Sequence, residues 1–307
     1  MNKDNQVSLA IFANFFIDNE ERLQRMKDSF NSFKAVEPQE WIINIRGKYK
    51  FQAGQYLKTE LGEKLNLFYQ NSTFGWFHDS KKIFKYITAK FVLNWIEDHI
   101  MIVKPQILIN CIKEMDNFNV NQLWYSWFIP SVIDPYNTEE KFKDGNFITV
   151  HKIDDLTCLK IRNLRKKNGN FKDFCVIPAQ TIMEKKFFET VLFSKKPYFR
   201  RTSRKTPHDF EKRSKDKIVK LIINAFPKQE LFVSIDDDLF TPGYSLISRG
   251  AYPDRVSRKN LAILEDPPII FRKKIKKFLP KKIIPITLLI IGLIYRTFFT
   301  LNIFWNK

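Results

Sequence analysis

The sequence predicts an α/β fold with a mostly parallel central sheet and helices on both faces. Three observations predict it. From Val7 to Val103, short apolar β-prone runs alternate with stretches of helical spacing. Glycine is scarce, 9 in 307 residues, which argues against β-helices and glycine-built phosphate loops. The apolar run Phe91–Ile96 ends abruptly in Glu97-Asp98-His99, and the carboxyl end of a buried strand is where an open α/β sheet places ligands.

Val7–Phe16 is the first expected strand, with a polar break at Asn14. Asp18–Phe33 follows as a helix, since Leu23, Met26, Phe30 and Phe33 fall on one face and Asp18 or Asn19 supplies an N-cap. Trp41–Ile45 reads as the second strand, Phe51–Leu61 as a short helix and Leu65–Tyr69 as the third strand. Ser80–Lys90 is expected to be a short helix leading into the fourth strand at Phe91. Parallel strands joined by right-handed crossovers are the default for this order.

The second half predicts less sharply. Pro105–Met115 suits a helix and Asn121–Phe128 an aromatic strand stopped by Pro130. Residues 134–145 read as a loop, Phe147–Lys152 and Cys158–Arg162 as a hairpin, and Lys160–Lys172 as a basic turn. Phe174–Ile177 reads as a strand and Thr181–Leu192 as a helix. Thr206-Pro207 followed by Asp209 and Glu211 is a helix start, and that helix is expected to run to about Asn224. Leu231–Ile235 is an apolar run leading into Asp236-Asp237-Asp238.

The formal net charge is +19, a field that attracts polyanions: nucleic acid, an anionic membrane surface or phosphorylated substrates. No nucleic-acid-binding signature accompanies the charge, so nucleic acid is not the expected partner. Cys111, Cys158 and Cys175 form no zinc pattern or disulfide framework, which suits a reducing compartment. Arg272–Lys282 holds seven Lys/Arg in eleven positions, and Ile283–Trp305 is mostly apolar with Arg296 inside it. The expectation is a membrane-anchoring tail over 271–307, spanning or lying in the headgroups, with the body on the cytoplasmic face. A C-terminal core helix is the alternative.

Glu97, Asp98 and His99 supply hard oxygen donors and one imidazole, a set that suits Mg²⁺ or Mn²⁺. A solvated turn after a strand is the alternative. Asp236-Asp237-Asp238 is a rival metal site after another strand, with Tyr244, Ser245 and Arg249 nearby to line an acceptor or contact a diphosphate.

The segment Val7–Val103 resembles the nucleotide-binding half of a type-A-fold glycosyltransferase of the family 2 group, a Rossmann-like architecture. In that group a short acidic Asp-x-Asp motif ends the fourth strand and binds the metal that bridges the two phosphates of a nucleotide-sugar. Glu97-Asp98-His99 stands in that place as a variant. The resemblance implies donor contacts at Asn14 and Asp18, at Asn44 and Arg46 where the family usually has an acid, at Asn71 and Ser72, and at Glu97. It also implies that an acid opening the acceptor-side helix is the general base: Asp209 first, Glu211 next, with His208 beside them. Capping of that helix explains the same acids without catalysis. Residues 1–270 would then be the catalytic body, 1–103 holding the nucleotide and 104–270 the acceptor. The implied activity is metal-dependent, inverting transfer of a sugar from a nucleotide-sugar donor to a membrane-associated glycan or glycolipid in cell-surface polysaccharide synthesis. A non-enzymatic basic protein that docks on membranes or nucleic acid is the alternative.

Overall fold

A computed structural model describes residues 7–70, 75–126, 142–167, 175–194, 207, 221–237 and 243–255. Residues 1–257 form one compact unit. The tail expected to anchor the chain, 271–307, lies outside the described residues. No helix among the described residues is long and apolar enough to cross a membrane.

The first half follows the expected order: β1 (Leu9–Phe16), α1 (Glu20–Phe33), β2 (Glu40–Arg46), α2 (Lys50–Leu61), β3 (Leu65–Phe68), α3 (Trp76–Phe84) and β4 (Phe91–Asn94). Next come β5 (His99–Met101), α4 (Pro105–Asn117), β6 (Gln122–Trp124), β7 (Lys143–Asp144), β8 (Ile148–Ile153) and α5 (Asp155–Lys167). The described part closes with β9 (Thr181–Glu184), α6 (Lys185–Phe193), β10 (Ile222–Pro227) and β11 (Phe232–Ser234).

Nine strands form one sheet in the order β3-β2-β1-β4-β9-β6-β10-β8-β7, and β5 pairs with β11 in a second, two-stranded sheet. β1 lies parallel to both β2 and β4, and β2 parallel to β3. β9 runs antiparallel between β4 and β6, and β8 runs antiparallel to β10. The sheet is therefore mostly parallel with two reversed strands in its second half.

Side chains alternate along β1 and so feed two cores. Leu9, Ile11, Ala13 and Phe15 pack with Met26, Phe30 and Phe33 of α1, Leu57 of α2 and Leu108 of α4. Ala10 and Phe12 pack on the other face with Phe77 and Phe84 of α3, Ile161 of α5 and Phe188 of α6. Both faces are buried, which is why β1 reads as an almost continuous apolar run.

Four expectations from sequence are corrected. The helix expected over Ser80–Lys90 starts at Trp76 and ends at Phe84. Gly75, at φ +85°, turns the chain into it, while the Glu40 carboxylate accepts the backbone N–H groups of Thr88 and Ala89 and fixes the exit. The second arm of the expected hairpin, Cys158–Arg162, lies in α5. Cys158, Ile161 and Arg165 are buried at helical spacing, and Asp154 Oδ1 accepts the Thr157 N–H at 2.8 Å as a cap. Cys175–Ile177 is buried but forms no strand; the strand is Thr181–Glu184, which finds partners on both sides. Finally, Asn224, expected to end a helix, is a strand residue of β10 paired with Gln122; residues 208–220 of that expected helix lie outside the described residues.

Candidate functional site

The order β3-β2-β1-β4 reverses direction of growth at β1, so β1 and β4 flank a topological switch point. Ligands of open α/β sheets bind in the crevice outside the carboxyl ends of the strands at such a point. Three loops leave that edge here: Ile17–Asn19 after β1, Gly47–Tyr49 after β2 and Trp95–Asp98 after β4.

The strand ends are pinned together. Gly47 has φ +95°, and a Cβ there would lie 2.3 Å from the Ile17 carbonyl oxygen, so only glycine lets the backbone cross the end of β1. Ile17 N–H donates to the Arg46 carbonyl at 2.9 Å and Tyr49 N–H to the Ile17 carbonyl at 3.0 Å. Asn44 donates to Asn14 Oδ1 at 2.8 Å and to the Gln70 carbonyl at 3.0 Å, and accepts the Gln70 N–H at 2.6 Å. Asn14 in turn donates to the Trp76 carbonyl and Ser80 Oγ, both at 3.1 Å. The side chains of Asn14 and Asn44 are thus committed to protein partners; they hold Gln70 just past β3 and the first turns of α3. Trp95 anchors the third loop, its indole inside a cage of Phe15, Phe30, Phe33 and Trp41 and its N–H on Ser29 Oγ at 2.8 Å.

At these strand ends, acids and arginines interleave. Arg22 of α1 reaches Glu97 at 3.1 Å and Asp18 at 3.2 Å. Arg25, one turn on, reaches Glu21 at 2.8 Å and is also ion-paired with Asp236. Asn19 caps α1, its Oδ1 accepting the Arg22 N–H at 2.9 Å, which sets the phase that points both arginines at the site. Burial pushes the Glu97 carboxyl up, the charge of Asp98 pushes the same way, and Arg22 offsets them only in part. Burial also acts upward on Asp98, but the hydrogen bond and charge of His99, with Arg22 and Arg25 near, outweigh it and hold Asp98 at about 2. The His99 ring is buried, with Nδ1 2.8 Å from Asp98 Oδ1, whereas the Asp98 side chain keeps 37% of its surface.

The structure therefore brings together Asp18, Glu97, Asp98 and His99, with Arg46 on the adjacent strand end. Among the described residues no three His, Cys, Asp or Glu side chains converge as a metal cluster. Asn71, Ser72, His208, Asp209, Glu211 and Asp238 lie outside the described residues.

The two acidic stretches that compete in the sequence are neighbours in space. β5 pairs with β11 through His99↔Ser234, and Ile235 N–H donates to the Asp98 carbonyl at 2.8 Å. Asp236 is taken by Arg25. Asp237 accepts from Gly243 N–H, Ser245 N–H and Ser248 Oγ at 2.8, 2.7 and 2.5 Å. Burial works upward on Asp237, but those hydrogen bonds outweigh it and hold the carboxyl below the ordinary range. Asp237 thus braces the loop carrying Tyr244 and Ser245, while Asp236 ties the end of β11 to α1. Sequence reasoning passed over Arg22 and Arg25 because α1 was read for its apolar face; the signal was Asp18/Arg22 and Glu21/Arg25 at i,i+4.

No family model matches the chain, and no curated protein matches it. Solved structures with a similar course include S. aureus TarS 1–349, at 9% identity and TM-score 0.41, covering 74% of this chain and 60% of that one. S. aureus TarS itself aligns at 9% identity and TM-score 0.43 over 74% of this chain and 36% of that one. TarS 1–349 in complex with UDP-GlcNAc aligns at 9% identity and TM-score 0.43 over 76% and 59%. The chain thus spans less than two thirds of each of these. A likeness this loose assigns nothing to the chain.

Proposed function

We propose that the chain is a nucleotide-sugar-dependent glycosyltransferase with its donor site at the β1/β4 switch point. The observation that carries this reading is the pair Glu97 and Asp98, set at the carboxyl end of β4 beside two arginines. The donor's diphosphate would lie across the ends of β1, β2 and β4, with Arg22 exchanging a carboxylate for a phosphate oxygen.

The residues fit a hard divalent cation, Mg²⁺ or Mn²⁺. Glu97 and Asp98 are adjacent carboxylates; burial first, and then the charge of Asp98, raise Glu97. Such ions commonly take one or two protein carboxylates and complete their shell with substrate phosphates. His99 fits a supporting place better than a ligand's: it is buried and orients Asp98 through Nδ1. When bound, the ion would offset the charge developing on the leaving diphosphate.

We assign the general base to Asp209, with Glu211 as the alternative, acting on an acceptor hydroxyl in an inverting displacement. The acceptor class is a membrane-associated glycan or glycolipid of cell-surface polysaccharide synthesis, handled at the cytoplasmic face with the tail on an anionic leaflet. The basic composition and the tail sequence support this assignment.

Calorimetry tests the donor site. The full chain should bind a nucleoside diphosphate in the presence of Mn²⁺, and the Glu97→Ala/Asp98→Ala variant should not. Unchanged binding in a folded double variant sinks the assignment.

A further inference from the structure

Arg46 ends β2, directly beside Phe16 at the end of β1. Its guanidinium lies 5.8 Å from the centre of the Phe16 ring. Nε is shielded from solvent and has no hydrogen-bond partner. Arg22, Arg25, Arg249 and Arg255 each hold a carboxylate; among the described residues Arg46 holds none. Burial pulls its basicity down, and Asp79 and Glu97 pull the other way only from a distance.

Arg46 as a residue is only partly buried, but a shielded Nε donor without a partner is costly unless a ligand completes it. The planar fork matches a phosphate with two parallel hydrogen bonds, which a lysine ammonium does not reproduce. The crevice also needs a positive element on the β2 side. Glu97 and Asp98 repel an incoming anion, and Arg22 and Arg25, which hold carboxylates in the unliganded chain, both stand on α1 rather than on the β2 side.

We propose that Arg46 is a phosphate receptor of this crevice, so that the end of β2 recognises the anionic part of the ligand rather than its base. The proposal rests on the crevice being the nucleotide-sugar site. Arg46 takes a non-bridging phosphate oxygen pair, and the Phe16 ring holds the guanidinium plane in place.

The test uses the full chain with two probes, inorganic pyrophosphate and UDP, each titrated with Mg²⁺ into wild type, Arg46→Lys and Arg46→Gln. Loss of a charged bidentate contact predicts that Arg46→Gln weakens both probes by about 10-fold or more. Arg46→Lys should fall between, because it keeps the charge and loses the fork. The unliganded Arg46→Gln protein should melt no lower than wild type, since a cation with a shielded, unpartnered Nε is removed. Wild-type affinity for both probes in Arg46→Gln overturns the proposal. So does weakening of UDP alone, which would place the base there, or a lowered melting temperature that accounts for the loss. If wild type binds pyrophosphate in an Arg46-dependent way but not UDP, Arg46 stands and the nucleotide reading falls. If wild type binds neither, both fall.

Discussion

Arg25→Met is expected to cost the fold about 3 kcal/mol. The Arg25 side chain is 3% exposed and bridges Glu21 on its own helix and Asp236 after β11. Removing one partner of a buried pair costs about 3–5 kcal/mol, because a charge is left without compensation. Two features place this site at the lower end. Glu21 keeps a second partner, Arg255 at 3.0 Å. Asp236 keeps 15% of its side-chain surface, so water recovers part of its solvation. Methionine preserves most of the apolar stem, which isolates the electrostatic loss. Urea denaturation reads the difference directly. Combining Arg25→Met with Asp236→Asn should recover about 1–2 kcal/mol, since the orphaned group is then neutral. A loss below about 1 kcal/mol in the single variant, or a double variant no more stable than the single, refutes the reasoning.

Gly47→Ala is expected to destabilise by about 2–4 kcal/mol in thermal or urea melts. The unfolded-state gain of about 0.4–1 kcal/mol is smaller than the left-handed penalty of about 1–2 kcal/mol, and the contact with Ile17 adds to the loss. Acid unfolding should begin below about pH 4. Asp98 and Asp237 are depressed in the fold, so their stabilisation is present above the ordinary carboxylate pKa and is lost as pH falls through their folded values. Asp98→Asn should flatten part of that fall in a series of urea midpoints. Glu97 carries the opposite sign: its raised pKa means that protonation begins above the usual carboxylate value. Mn²⁺ binding should therefore weaken as pH drops through that range and release protons on binding, which calorimetry in buffers of different ionisation enthalpy detects.

The first four strands were legible because each is an apolar run that periodicity separates from the helices around it. α1 was legible to within its cap residue for the same reason. β9 was not: Thr181–Glu184 is too short to show an alternation, and its identity comes from β4 and β6 on either side. α5 was misread because its buried positions, Cys158, Ile161 and Arg165, include an arginine where a helix face would show an apolar residue. At the site, the acids after β4 were visible, but their relation to Asp236 was not. That relation depends on a ladder between two three-residue strands far apart in the chain, β5 and β11. Asn14 and Asn44 were visible as polar breaks in strands; only the structure shows that they bond each other and the Gln70 backbone.

The placement of β9 has a consequence for synthesis. β3, β2, β1 and β4 are complete once the ribosome has passed Asn94, and they can pair as they emerge. The free edge of β4, carrying Val92 and Leu93, stays open until Thr181–Glu184 has been made. An open apolar edge is a template for pairing with other chains, and the wait lasts about 4–17 s at roughly 5–20 residues per second. Chains cut before Thr181 are expected to aggregate rather than persist as a folded fragment, and a chaperone that masks strand edges would matter most in that interval.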